Sequence, residues 1–221
     1  MNIEKARFLM IEQQIRPWDV LDQDVLELLL VVRREAFVPL AYRALAFADS
    51  EIPLPHGEQM MTPKLEARIL QELAIKKHEN VLEIGAGSGY LAALLAYKAR
   101  HVTTLEIQPE LKALAQQNLA DYGVSNVEVI EADGAQGYAG ANQVNAPYDV
   151  IVVSGSLPVV PDTLLAQIKL GGRMFVIVGN APAMTAQIIT RVSDISYNTV
   201  NLFETMVQPL RNAVVPSQFK F

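Results

Sequence analysis

The 221-residue sequence contains no cysteine, one tryptophan and three histidines. Without cysteine there is no disulfide, no thiolate nucleophile and no cysteine–zinc site. His56, His78 and His101 are isolated in the chain and form no metal-ligand pair, so no metal is expected. No apolar run approaches the roughly 20 residues that a membrane helix needs. The opening stretch MNIEKARFLMIEQQIRP carries Glu4, Lys5, Arg7 and Glu12 and lacks a signal-peptide core. The expectation is a soluble, cytoplasmic protein with no membrane partner. Basic residues are also in deficit, 18 against 24 acidic, for a net charge of −6. That balance argues against broad, charge-driven binding to nucleic acid.

Hydrophobic residues, by contrast, make up 51% of the chain, enough for a sizeable core. The length suits one domain with an appendage. Residues 1–76 read as that appendage and are mainly helical. Val25, Leu28, Leu29 and Val32 share one helix face, and Leu65, Ile69 and Leu73 share another. Thr62-Pro63 is a start signal for the second helix, a capping hydroxyl followed by proline at the first helical position. Between the two helices, Asp49 to Gln59 reads as an ordered loop. Trp18, between two helical stretches, reads as an anchor for the appendage.

Residues 77–221 read as an α/β core. Strands are expected at Val81–Ile84, His101–Ile107, Val127–Glu131, Asp149–Val153 and Met174–Val178. Helices are expected from Tyr90, over Pro109–Tyr122, and over Pro161–Leu170 with Gly171-Gly172 as the stop. Such alternation predicts a parallel sheet covered on both faces. Two β-like stretches between Gln187 and Leu210 predict an antiparallel hairpin at a sheet edge.

The sharpest local signal is VLEIGAGSG, from Val81 to Gly89. A strand runs directly into a glycine turn and then a helix, so bare backbone and free N–H groups can meet a ligand. The dinucleotide fingerprint is G-x-G-x-x-G. Here the order is G-x-G-x-G, and Tyr90 stands where the third glycine belongs. Glu83, two residues before the first glycine, would repel a pyrophosphate but attract an ammonium group. The pattern favours S-adenosylmethionine, which carries an amino acid and no phosphate. Glu106 ends the second strand, where an acid can accept hydrogen bonds from both ribose hydroxyls. Asp133-Gly134 follows the third strand, within reach of an adenine amino group. The cofactor set is therefore Glu83, Gly85, Gly87, Ser88, Gly89, Glu106, Ile107, Asp133 and Gly134.

VLEIGAGSGY, LEIQPE, EADGAQGY and LGGRMFVIVG resemble successive motifs of the class I S-adenosylmethionine-dependent methyltransferases. More narrowly, the chain resembles the protein-L-isoaspartate O-methyltransferase family from about Met10 to Leu210. MIEQQIRP, RREAFVPLAYRALAFAD, EIPLPHGEQMMTP, SGSLPVVP and FETMVQPL carry that narrower likeness. It implies a Rossmann-like, doubly wound, mostly parallel sheet with an N-terminal helical extension and a C-terminal antiparallel edge. It also implies methyl transfer to the carboxylate exposed when aspartate or asparagine isomerises, the start of protein repair. The partner would be an isoaspartyl protein or peptide. By position, Gln59 and the residues after it would lie over the active site. The family's Gly-Gln-Thr-Ile-Ser run is replaced by Gly57-Glu58-Gln59-Met60-Met61-Thr62, and the tail reads Val207-Gln208-Pro209-Leu210 in place of Phe-Val-Pro-Leu. Thr62 falls on the position of the substrate-facing serine and is the candidate catalytic residue.

A carboxylate acceptor is already ionised at neutral pH, so the transfer needs positioning and partial exclusion of water, with no metal or general base. Two other activities stay open. A small-molecule oxygen or nitrogen acceptor would need a base, for which Glu58 or His56 would serve. A cofactor-binding protein without turnover would keep only the crevice. A nicotinamide-dependent oxidoreductase is disfavoured by the glycine spacing and by Glu83.

Overall fold

Side-chain alternation along the central strands sets the layering. In the computed structural model, which describes residues 2–138 and 146–215, five strands run parallel: β3 (Asn80–Ile84), β4 (His101–Glu106), β5 (Val127–Glu131), β6 (Tyr148–Leu157) and β7 (Ile168–Asn180). Their spatial order is β5-β4-β3-β6-β7, and β8 (Ala183–Arg191) and β9 (Tyr197–Thr205) extend the β7 edge antiparallel. Val81, Val102, Val150, Val152, Phe175 and Ile177 turn to one core, while Leu82, Ile84, Leu105, Ile151, Val153 and Met174 turn to a second. Successive residues of a strand point to opposite faces, so one run of apolar residues serves both.

The first core also takes in α1 (Ile3–Met10), α2 (Gln23–Val31), α3 (Pro63–Leu73), α4 (Tyr90–Lys98) and α5 (Pro109–Asp121). Tyr90 to Ala96 are all buried, as befits a helix apolar all round. Asp22 caps α2 by accepting from the amides of Asp24 and Val25. The second core is covered by Tyr138 and by the short α6 (Asp162–Leu165).

The expected helix over Pro161–Leu170 is corrected here. It ends at Leu165, and β7 begins at Ile168 and passes through Gly171-Gly172. Register explains the difference. Tyr148 pairs with Ile168 but Val150 pairs with Arg173, so β7 bulges between them. A Cβ on Gly172 would lie 2.8 Å from the Asp149 carbonyl oxygen. The glycines admit a close strand neighbour at a bulge; they do not stop a helix. The expected edge hairpin is present as β8 and β9, and it starts earlier, at Ala183.

The appendage contains the expected helices, and its Asp49–Gln59 loop is ordered as a small antiparallel pair, β1 (Ile52–Pro53) with β2 (Gln59–Met60). The fully buried Arg34 fixes that loop. Its guanidinium donates to the carbonyls of Ala46 (3.0 Å) and Met61 (2.7 Å) and to Glu66 of α3 (3.3 Å). Trp18 packs edge-on to Phe203 of β9 and under the Lys64 ammonium of α3, which ties the appendage to the sheet edge.

Candidate active site

Parallel strands deliver their carboxyl ends to one side of the sheet, and the ligand crevice of an open α/β sheet lies there. After β3 the chain turns through Gly85, Gly87 and Gly89, all at positive φ (99°, 53° and 82°). The Leu105 carbonyl accepts from the amides of Gly85 and Ala86, and Glu106 Oε2 accepts from the Gly87 amide (2.9 Å). Glu106 Oε1 accepts from the Gln108 amide (3.0 Å). A carboxylate offers about four acceptor positions, so Glu106 braces the glycine turn and still has capacity for a diol. Asp133 accepts from the Ala135 amide (3.0 Å) and from Asn212 Nδ2 (2.8 Å).

These groups border an open cleft of about 800 Å³. Gly85, Gly87, Glu106, Ile107, Asp133 and Gly134 all line it. Glu83 and Ser88 line a smaller space of about 310 Å³ that shares Gln59, Met61, Gly85, Gly87 and Ser154 with the cleft. Two expected site residues line neither space. Gly89 starts α4, and a Cβ there would lie 3.2 Å from both the Ala115 carbonyl oxygen and Leu119 Cγ, so its bareness serves packing against α5. Thr62 stands at the N-cap of α3, yet its hydroxyl makes no capping hydrogen bond.

Several lining residues were not read from the sequence. Leu54, from the β1–β2 loop, would lie 3.3 Å from a Cβ on Gly87 and so covers the glycine turn. The segment Val207–Arg211 forms another wall. Pro209 pairs with Ser156 in a single β-bridge, and Asn212 reaches Asp133. The FETMVQPL match was the only signal for this segment.

Glu83 has no exposed surface. It accepts from the hydroxyls of Thr104 (2.6 Å) and Ser154 (3.2 Å). Burial outweighs those bonds and pushes its carboxyl up to about 8, so the group is mostly neutral at pH 7. Glu66, on the wall of the same smaller space, is raised to about 7 by burial, against the pull of Arg34. The buried Ser88 hydroxyl has no partner among the described residues.

The observations fit an adenosine–amino-acid cofactor. Bare backbone at Gly87 leaves room in the cleft, and Glu83 and the Ser88 hydroxyl, which is unpartnered among the described residues, line the adjoining space. A family model described as protein-L-isoaspartate(D-aspartate) O-methyltransferase matches residues 5–213. The chain belongs to this family. A protein-L-isoaspartate O-methyltransferase of Rhodopseudomonas palustris is 39% identical over 205 residues, 92% of either chain. One from Pelobacter propionicus, bearing the same family name, is 36% identical over 213 residues, 96% of this chain and 93% of its own. A solved protein-L-isoaspartate O-methyltransferase aligns with a TM-score of 0.75 at 25% identity, over 94% of this chain and 65% of its own. A Plasmodium falciparum crystal structure in complex with S-adenosyl-L-homocysteine aligns with a TM-score of 0.81, over 93% of this chain and 98% of its own. At 19% identity that likeness is one of fold. The architecture is thus the Rossmann-like methyltransferase fold with an N-terminal helical extension, and the family is one of S-adenosylmethionine-dependent enzymes.

Proposed function

We propose that the chain transfers the methyl group of S-adenosylmethionine to the free carboxylate of isoaspartyl residues in proteins or peptides. The observation that carries this reading is the convergence of Gly87, Glu106 and Asp133 on one cleft, in a chain whose family match spans residues 5–213. Glu106 would take the ribose hydroxyls, Asp133 the adenine amino group, and Glu83 with Ser88 the amino-acid end. Bound S-adenosylmethionine supplies a methyl on a sulfonium, already activated for transfer. What the chain must do is position the acceptor and keep water away. Met61 and Leu54 wall the cleft with apolar surface on the appendage side. Thr62 lines neither space, but it is next in the chain to Met61, which lines both, and no capping bond claims its hydroxyl, which the family resemblance would place beside the acceptor.

A hydroxyl or amine acceptor would need a base. His56 does not line the cleft and its Nε2 pairs with Glu110 (2.9 Å), while Glu58 lines it but is held by Arg211 (2.5 Å). Both facts favour an acceptor that arrives already ionised. The experiment is methyl transfer to an isoaspartyl peptide, with its aspartyl twin as control. Transfer to the isoaspartyl peptide alone is expected, and transfer to neither would remove the proposal.

A further inference from the structure

An anionic acceptor meets an unfavourable surface here. The cleft is lined by four carboxylates, those of Glu51, Glu58, Glu106 and Asp133. Arg211 is the one cation among its lining residues. Like charges at such a mouth repel an approaching carboxylate unless a cation screens them. We infer that Arg211 is the residue that binds the acceptor carboxylate, an assignment that rests on the carboxylate-methylating function proposed above.

The guanidinium is positioned for an exchange of partners. Nε donates to Glu58 Oε1 at 2.5 Å and Nη2 donates to the His56 carbonyl oxygen at 2.7 Å. Nη1 makes no hydrogen bond among the described residues. The pair with Glu58 is therefore single-point, and it is partly open to solvent, with the Arg211 side chain 43% exposed. Guanidinium donors form a planar fork suited to two carboxylate contacts. A substrate carboxylate can take the free Nη1 side, or displace Glu58 outright. Displacement replaces one carboxylate by another at the same cation, so the number of ion pairs is kept. A contact through one oxygen leaves the other free to accept the methyl. The chain path explains how the cation comes to be there. Pro209 is bridged to Ser156 of β6, which carries Arg211 over the rim facing the 56–58 turn.

A purely structural latch is the competing account, and it predicts something different. If Arg211 only clips the 56–58 turn, removing either end of the ion pair weakens binding, and Arg211 costs more because it also holds the His56 carbonyl. If Arg211 binds the acceptor, the two ends act with opposite sign, because Glu58 competes for the cation and repels the substrate.

The test is equilibrium binding of a fluorescent isoaspartyl peptide, and of the same peptide with that carboxylate converted to a carboxamide. Binding is read by anisotropy with S-adenosyl-L-homocysteine saturating, and methyl transfer is measured in parallel. Wild type is expected to prefer the carboxylate peptide by roughly tenfold, the scale of hydrogen bonds to a charged group. Arg211→Gln should collapse that preference to about twofold or less, and Arg211→Lys should keep part of it, since the charge remains but the fork is lost. Glu58→Gln should bind the carboxylate peptide at least as tightly as wild type. Weakening of the carboxylate peptide in Glu58→Gln as well as in Arg211→Gln would overturn the assignment in favour of the latch. A wild type that methylates the peptide, with an undiminished preference in Arg211→Gln, would overturn Arg211 alone. A wild type that neither binds nor methylates the peptide would overturn the proposed function and this assignment together.

Discussion

Glu83 enters the unliganded site as a carboxylic acid, and this has a measurable cost for binding a zwitterionic ligand. With its carboxyl raised by burial to about 8, Glu83 is mainly protonated at pH 7. A free α-amino group titrates at about 7.7–8.0, so the ligand's amine is also mostly protonated there. An ion pair between ammonium and carboxylate holds one proton where the separate partners hold nearly two. Binding at pH 7 should therefore release protons, and the release should shrink as pH rises through the range where both groups ionise. Calorimetry of S-adenosylmethionine binding in buffers of different ionisation enthalpy measures that release. Affinity should rise as pH increases from 6 to about 8 and then fall.

The substitution Glu83→Gln keeps the size and removes the titration. It should abolish proton release at pH 7. The unliganded fold carries the same signature. Glu83 stays protonated in the native state over a range in which an unfolded glutamate has already ionised. The native state therefore binds more protons, and stability falls as pH rises from about 5 to about 8. Glu66 adds to the decline up to about 7. Chemical denaturation across that range should show a shallower slope in Glu83→Gln than in wild type. No proton release from wild type at pH 7, or the same release from the variant, would refute the reasoning.

Other outcomes are expected from the same geometry. Glu106→Ala removes the acceptor of the Gly87 amide as well as the proposed ribose contact, and should weaken cofactor binding by about 1.5–3 kcal/mol in a calorimetric titration. Gly134→Ala places a Cβ 2.7 Å from Ile84 Cγ2 and 2.9 Å from Leu105 Cδ1, so thermal or urea unfolding should show a loss of about 1–3 kcal/mol from overpacking. Thr62→Ala should change stability by less than about 0.5 kcal/mol, because no side-chain cap is lost. Thr62→Asp should suppress single-turnover methyl transfer while leaving cofactor affinity near wild type, and an active Asp variant would remove Thr62 from the acceptor site.

What could be read from the sequence was local or periodic. The glycine turn follows its own strand directly, and Glu106 braces that turn from the end of the adjacent strand. Short apolar, β-branched runs in β3, β4 and β6 marked strands buried on both faces, and the structure divides their side chains between two cores. Gly89 belongs to the same short motif and shares its positive φ, yet it also meets the Ala115 carbonyl on α5, a constraint that no glycine spacing encodes. Gly171-Gly172 failed as a helix stop for the same reason. A glycine pair marks a departure from regular backbone, and only the β6 register shows that the departure is a bulge. Local composition cannot separate those two uses.

The walls of the cleft pose a harder problem, because their meaning depends on charge brought from far along the chain. Glu58 and Arg211 are 153 positions apart, and Asp133 and Asn212 are 79 apart. Each residue alone reads as an ordinary surface group. Brought together, they turn a net-acidic protein into one with an acidic cleft and a single cation at its rim. An acidic cleft suits a cofactor that carries a positive sulfonium. The same field opposes a carboxylate acceptor, so binding the cofactor first lowers the repulsion that the acceptor must overcome. The rim cation then bears the remaining task of holding the acceptor. Cofactor and acceptor should therefore bind with positive coupling, each tightening the other, and product release should be helped by two losses of charge: the acceptor becomes a neutral ester and the sulfonium becomes a thioether.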